Sequence, residues 1–312
     1  MANKALKNLL LQIPFVKTKI KRFDELNLMI YNSGFDPGHY YSSVPDLKEI
    51  EENASAIFGD KKLEEVNLNT DNQLALLEKL KTYYPQYPYF DNAVDTAKLR
   101  YIKSDKAFYR YSDAVFLYCI IRHFQPTKII EVGSGHSSAI MLDTNEFYLE
   151  NKMHVTFIEP YPEERLMKIL REQDKKQHTV IKQKVQSVSL DVFKKLEQND
   201  ILFIDSSHVS KTGSDLNYLM FEVLPALKPG VLIHFHDIFY PFELPKKWIV
   251  ENRWFWNENY LLHAFLMNNN KYEIINFNTY LQKIKTDWFK TEMPECLLGA
   301  EPTGSIWIRK LG

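Results

Sequence analysis

The chain has 312 residues, 45% of them apolar and 25% charged, with a formal net charge of −1. This is the composition of a folded globular protein and excludes a disordered chain, a collagen-like repeat and a disulfide scaffold. The near-zero charge speaks against a general nucleic-acid binder, which carries a basic excess.

The segment before Asp24 carries Lys4, Lys7, Lys17, Lys19, Lys21 and Arg22 and no acid. Its apolar stretch is short, is broken by Gln12 and Pro14, and lacks a small-residue cleavage site. It therefore reads as a solvated leader helix rather than a signal peptide, with an anionic membrane surface as the alternative setting. No run reaches the ~18 apolar residues that span a bilayer, and a cytoplasmic location is expected. Residues 1–106 show no regular strand–helix alternation. They are expected to form a largely helical and irregular extension that serves as a lid, an acceptor contact or an oligomer contact. Turn-rich pieces at Asn32–Tyr41 and Tyr83–Tyr89 flank a helix predicted near 71–82, with Leu74, Leu76, Leu77 and Leu80 on one side. The two cysteines, Cys119 and Cys296, lack metal-type spacing and are expected to stay reduced.

From residue 107 the pattern changes. Ser112 is expected to cap a helix that runs through about Phe124 and stops at Pro126. Strands are predicted at 128–132, 154–158, 179–181, 201–204 and 231–235, with a helix at 137–149 and another opened by Pro162. Ser214 is expected to cap a helix whose Leu216, Leu219, Met220, Val223, Leu224 and Leu227 form an apolar core stripe. A helix at 258–269 and strands at 272–277 and 305–309 follow. Near-continuous apolar strands joined by helical crossovers specify an α/β protein with a buried parallel sheet and helices on both faces. The last two strands suit a sheet with one antiparallel member.

Ligands of such sheets bind beyond the carboxyl ends of the strands. There the sequence places Glu131-Val132-Gly133-Ser134-Gly135-His136, Glu159, Asp205-Ser206-Ser207-His208 and His234-Phe235-His236-Asp237. A strand–GxG–helix turn with an acid ending the next strand is a nucleotide-type site, the acid accepting ribose hydroxyls. A pyrophosphate site favours a third glycine where Ser138 stands, and Glu131 is ill placed beside a pyrophosphate. A ligand with an ammonium and a sulfonium suits Glu131 better, which favours S-adenosylmethionine over NAD. His136 either faces the cofactor or serves the helix start. His234 reads as a satisfied core histidine on the same face as His236. Ser207, Lys211 and Ser214 read as loop chemistry, with substrate contact as the alternative. Tyr240-Pro241-Phe242 and Trp254-Phe255-Trp256 either wall an acceptor pocket or pack beneath a loop.

These motifs resemble the class I S-adenosylmethionine-dependent methyltransferases. Glu131–Gly135 looks like their first motif, Glu159 their acid ending strand two, Asn199–Asp205 their strand-four motif and Leu227–Val231 their turn into strand five. The resemblance covers residues 107–312. It implies a Rossmann-like seven-stranded, mostly parallel sheet with a reversed last hairpin. It also implies cofactor contacts from Glu131, Gly133, Ser134, Gly135, Glu159 and Asp205, with Gln186 near the adenine. The pattern Asp205…His208…Asp215 with His236-Asp237 is similar to a subgroup containing macrolide-sugar O-methyltransferases and cephalosporin-hydroxylase-like proteins. Its members bind a divalent metal through an acid ending strand four and two adjacent acids ending strand five. That implies a metal (Mg, Mn or Fe) at Asp205, His236 and Asp237, although His236 stands where an acid is usual. The alternative is a metal-free pair in which His236 is the general base and Asp237 orients it, with His208 as a second candidate base. The expected reaction is methylation of a hydroxyl on a small acceptor, sugar-like or natural-product-like. An NAD-dependent oxidoreductase, a metal-dependent hydroxylase-like enzyme and a non-catalytic cofactor-binding module are the competing readings.

Overall fold

In the computed structural model of the chain, the structure describes residues 13–19, 22, 34–90, 98–103, 109–299 and 302–312. Most of the basic leader, and Asn32 and Ser33 of the expected turn at Asn32–Tyr41, lie outside the described residues. The chain divides into two compact units, residues 1–59 with 246–255 and residues 60–245 with 256–312.

The larger unit carries the sheet. Strands β1 (Lys128–Val132), β2 (His154–Ile158), β3 (Thr179–Ile181), β4 (Ile201–Ile204), β5 (Leu232–His236), β6 (Tyr272–Phe277) and β7 (Ser305–Lys310) form one seven-stranded sheet of order β3-β2-β1-β4-β5-β7-β6. β1 to β5 run parallel to one another, and β7 enters antiparallel between β5 and β6. The expected Rossmann-like sheet with a reversed last hairpin is therefore present. Short β-branched runs form these strands because both faces are covered. Successive side chains point to opposite faces. Ile129, Val155, Phe157, Ile201, Phe203 and Leu232 enter one core, which also holds the helix Tyr111–Phe124 (α1) and the helix His136–Tyr148 (α2). Ile130, Val132, Ile158, Leu202, Ile204, Ile233 and Phe235 enter the other. That core also takes the apolar stripe after Ser214 and the helix Glu258–Leu266 (α3).

Several boundaries differ from expectation for tertiary reasons. Ser112 does not cap α1, which begins at Tyr111; its hydroxyl pairs instead with that of Thr303 at 2.8 Å. Pro162 does not open a helix. Residues 162–165 form turns, and the short helix Leu166–Ile169 follows them. α3 stops at Leu266 because Met267 bridges to Val66 and the Asn268 N–H donates to Glu65 O at 2.8 Å. Ser214 does cap its helix, accepting from Asn217 N at 3.2 Å. The stripe it starts includes a stretch of π-helix, Leu219–Val223. Two helices after β6, Asn278–Ile284 and Thr286–Glu292, were not legible in the sequence.

A charged cluster pins residues 98–103 to the sheet unit. The Arg100 guanidinium, 2% exposed, donates to both oxygens of Asp174 (2.7 and 3.0 Å) and to Asp143 (3.0 Å), and pairs with Glu146 at 2.6 Å. The Asp143 carboxylate also accepts from the backbone N–H groups of Arg100 and Tyr101 and from the Tyr89 hydroxyl.

The smaller unit contains the helix Leu47–Glu52, whose Asp46 carboxylate caps the N–H groups of Lys48 and Glu49, and the short helices Ala54–Phe58 and Lys246–Val250. Trp248 and Trp254 meet edge to face at 5.2 Å. Among the described residues no helix is long and apolar enough to cross a membrane.

Candidate active site

The glycine turn follows β1. Gly133 has φ +77°, and a Cβ there would lie 1.9 Å from the Asp205 carbonyl oxygen. Its N–H donates to Ile158 O at 3.1 Å, and Asp205 N donates to Val132 O at 3.0 Å, so the turn is wedged between the ends of β2 and β4. Only glycine meets both demands. Gly135 differs from expectation: a Cβ there would meet nothing nearer than the Arg165 side chain at 3.6 Å. A Cβ at 135 would make an ordinary contact there.

Glu131 is fully buried at the end of β1. Ser137 and Ser138, at the start of α2, donate their hydroxyls to its two oxygens at 2.6 and 2.5 Å. Ser138 Oγ also accepts from Gly135 N at 3.0 Å. The residue that breaks the three-glycine pattern therefore orients Glu131. Burial pushes the Glu131 carboxyl up to about 8, the two serine hydroxyls only partly opposing it. Glu159, half-buried at the end of β2, accepts from Ser134 N (3.2 Å) and Tyr161 N (2.9 Å). Both contacts leave lone pairs for two further donors. Ser134 Oγ is buried with no hydrogen-bond partner. A buried acid pushed toward neutrality, an oriented carboxylate and an orphaned hydroxyl around one glycine turn fit an adenosylated amino acid with a cationic end. Gln186 is exposed, and its Nε2 donates to Gly213 O at 2.9 Å. His136 is the first residue of α2, with its pKa lowered by burial and by Arg165.

The ends of β4 and β5 bring Asp205, His208, His236 and Asp237 together. His208 Nε2 lies 3.4 Å from Asp205 Oδ1 and 3.7 Å from Asp237 Oδ2, and His236 Nε2 lies 3.5 Å from Asp237 Oδ1. Burial acts upward on Asp205, but His236 and His208 outweigh it and hold the carboxyl down to about 2. Burial raises Asp237 above its ordinary value, with His236 and His208 opposing. For His236, burial acts downward and is overcome by Asp237, Asp205 and Asp113, which leaves its pKa raised. Asp215 stays apart from this cluster: it closes its own loop by accepting from Ser207 N and Oγ.

The second layer was invisible in the sequence. Tyr109 lies against the His236 ring at 4.8 Å, and its buried hydroxyl has no partner. Asp113 accepts from Ser305 and Asn278 at 2.8 Å, and burial pushes it up to about 6. Glu258, 2% exposed, holds His208 Nδ1 at 2.7 Å. Asn259 ties the backbone after β5, donating to Asp237 O and accepting from Phe239 N, both at 3.0 Å. The only advance signal was a polar Asn257-Glu258-Asn259 run opening an apolar helix. His234 is buried in the core as expected, but it is not a satisfied histidine. Its ring stacks on Phe203 at 4.1 Å, both nitrogens lack partners, and burial drives its pKa well down. Of the aromatic runs, Phe242 packs inward against His263 and Phe277, whereas Trp256 lies against His208 at 4.5 Å.

Among the described residues, no group of three or more His, Cys, Asp and Glu side chains is arranged to hold a metal ion. The trio of Asp205, His236 and Asp237 stands together at the ends of β4 and β5. The place between the two aspartates faces the Nε2 of His208.

Residues 130–238 match the family model described as a methyltransferase domain. An uncharacterized protein of Archaeoglobus fulgidus is 34% identical over 185 residues, covering 57% of this chain and 82% of that protein. Among solved structures, a Podospora anserina methyltransferase bound to S-adenosylhomocysteine is 15% identical, with a TM-score of 0.41 over 86% of this chain and 98% of its own. The O-methyltransferase TomG of Streptomyces achromogenes, solved with S-adenosylmethionine, is 13% identical, with a TM-score of 0.39 over 85% and 97%. On the matched domain, the order of the seven strands and the motif at each strand end, the chain belongs to the class I S-adenosylmethionine-dependent methyltransferases.

Proposed function

We propose that the chain methylates a hydroxyl of a small molecule, sugar-like or natural-product-like. The observation that carries this reading is the cluster of His236 and two carboxylates beside the glycine turn, because a hydroxyl acceptor has to lose a proton. S-adenosylmethionine supplies the methyl group when bound. Glu131 holds its ammonium, Glu159 accepts from the ribose hydroxyls and Gly133 admits the chain's closest approach. His236 takes the acceptor proton, with Asp237 holding the ring. Three neighbouring acids raise the basicity of that imidazole. Within this reading, residues 107–312 carry the transfer chemistry, and residues 1–106 serve acceptor choice or self-association. The compartment is expected to be cytoplasmic.

The test is calorimetric titration with S-adenosylhomocysteine, followed by turnover against a panel of hydroxylated acceptors. Asp237→Asn is expected to remove turnover while leaving S-adenosylhomocysteine affinity within about twofold. Equal loss of both would place Asp237 in the cofactor pocket instead.

A second prediction follows from Glu131. The folded chain keeps its proton up to about 8 where an unfolded one loses it near 4.5. The raised value therefore contributes stability below the unfolded pKa, and that contribution is lost as pH rises through the window up to 8. An ammonium at this carboxylate favours the ionised form. S-adenosylhomocysteine affinity is therefore expected to rise roughly tenfold per pH unit from pH 6 toward 8. A Glu131→Gln variant is expected to bind weakly and to lose that dependence. A flat wild-type profile would remove Glu131 from the ammonium.

A further inference from the structure

We infer that the smaller unit docks the protein on an anionic bilayer surface. The aromatic turn at 35–41 enters the interface, and Lys17, Lys19 and Arg22 of the basic segment before Asp24 meet the headgroups. Docking of this kind is independent of the hydroxyl-transfer reading.

Aromatic exposure is concentrated in this unit. Among the described residues nine Phe, Tyr and Trp side chains stand exposed. Five of them, Phe15, Phe35, Tyr40, Tyr41 and Trp254, fall in residues 1–59 with 246–255, under a quarter of the chain. Three of the five share one turn. Phe35 stacks on the His39 ring at 4.7 Å, Tyr41 meets Phe35 edge-on at 5.2 Å, and Tyr40 lies 5.9 Å from His39. Exposed rings scattered singly need no explanation, but a contiguous group marks an interaction surface.

The turn is built to display them. Gly38 N donates to Val44 O at 2.9 Å, Ser42 N to His39 O at 2.8 Å and Tyr41 N to His39 Nδ1 at 3.2 Å. Gly38 has φ +85°, and a Cβ there would lie 3.1 Å from Asp46 Cβ, so the turn closes tightly on Asp46. Its own hydrogen bonds fix a loop in which Tyr40 is 98% and Tyr41 77% exposed.

That degree of exposure selects the occupant. A small-molecule site encloses its ligand in a cleft, whereas a ring as exposed as Tyr40 projects from the surface and is covered only by a medium it enters. Tyrosine suits the bilayer interface, where its ring is apolar and its hydroxyl stays wet. Charge supplies the sign. The sequence before Asp24 has six cations and no acid, and Lys17, Lys19 and Arg22 are exposed. Beside them Ile13 and Phe15 are exposed too, with Lys19 Nζ 5.6 Å over the Phe15 ring. An ammonium carried with an apolar side chain is the pairing that settles between headgroup and acyl chain. The acids Glu49, Glu51 and Glu52 belong to a later stretch, the helix Leu47–Glu52. A second copy of the chain is the poorer occupant, because it would set the same cations against these.

The test sediments full-length protein with vesicles of phosphatidylcholine alone and of phosphatidylcholine mixed with phosphatidylserine, at low and at high salt. Partitioning is expected to be at least about tenfold higher on the anionic vesicles and to be lost at high salt. The double variants Tyr40→Ser with Tyr41→Ser, and Lys17→Glu with Lys19→Glu, are each expected to lower it at least about fivefold. Both should keep the wild-type melting temperature and S-adenosylhomocysteine affinity. Equal partitioning on the two vesicles, none on either, or an unchanged value in either variant overturns the inference. Sedimentation velocity without vesicles reads the competing occupant: self-association that the tyrosine pair abolishes would give the turn to a second copy. A failure here leaves the methyl-transfer reading standing, because turnover is measured without vesicles.

Discussion

Gly133→Ala is expected to weaken S-adenosylhomocysteine binding by about a hundredfold or more, equivalent to ~2.7 kcal/mol. Gly135→Ala is expected to leave it nearly unchanged. The two glycines look equivalent in the sequence and are not. At 133 the left-handed backbone alone costs a Cβ-bearing residue about 1–2 kcal/mol. The added carbon would also lie 1.9 Å from Asp205 O, so the end of β4 has to move. That end carries Asp205, and the same turn carries Ser134 N to Glu159. The disturbance therefore reaches both sides of the site, and a fall in Tm of at least ~5 °C should accompany it. At 135 the nearest atom is a flexible Arg165 side chain at 3.6 Å, an ordinary contact. Thermal melts and titrations of the two variants side by side check this. Equal effects at both positions would mean that the turn is not wedged as described.

Arg100→Met is expected to destabilise the chain by about 3–5 kcal/mol, the range for removing one partner of a buried ion cluster. Asp143 and Asp174 would keep their burial and lose their counter-charge. Arg100→Lys should recover only part of the loss, because an ammonium cannot reproduce the two-pronged contact with Asp174. Lys48→Met, in the exposed pair with Glu52, serves as the contrast and should not change stability measurably. Denaturant unfolding monitored by fluorescence and far-ultraviolet circular dichroism reads all three. A loss at Arg100 no larger than at Lys48 would show that residues 98–103 are not anchored by this cluster.

The strands were legible because each is a short, apolar, β-branched run between turn residues, and burial on both faces leaves no alternating pattern to misread. The first layer of the site was legible for a related reason. In a parallel sheet the ligand-facing groups follow the strands directly in the chain, so Glu131, Glu159, Asp205, His236 and Asp237 could be read from position alone. Groups that act across long sequence separations were not legible. Glu258 pairs with His208 from 50 residues away, Asp113 reaches Ser305, and Arg100 reaches Asp174. No local periodicity records such pairings. The helix boundaries failed for the same reason. Ser112 looks like a cap until Thr303 claims its hydroxyl, and α3 looks longer until Val66 pairs with Met267.

The two halves of the site have different genetic footprints. Of the groups assigned to the cofactor side, those from Glu131 through Ser138 to Glu159 sit in one short stretch of chain that folds as two strands and the helix between them, with Gln186 and Asp205 outside it. The acceptor side is assembled from three separated stretches, around 205–208, 236–237 and 257–259. Substitutions accumulating in the second set can reshape what is methylated while the first set continues to read the same cofactor. On the assignment proposed above, a lineage carrying this architecture would change its acceptor without rebuilding its cofactor pocket. Chimeras that exchange residues 205–259 between homologues, leaving 131–159 intact, are a direct way to move acceptor preference.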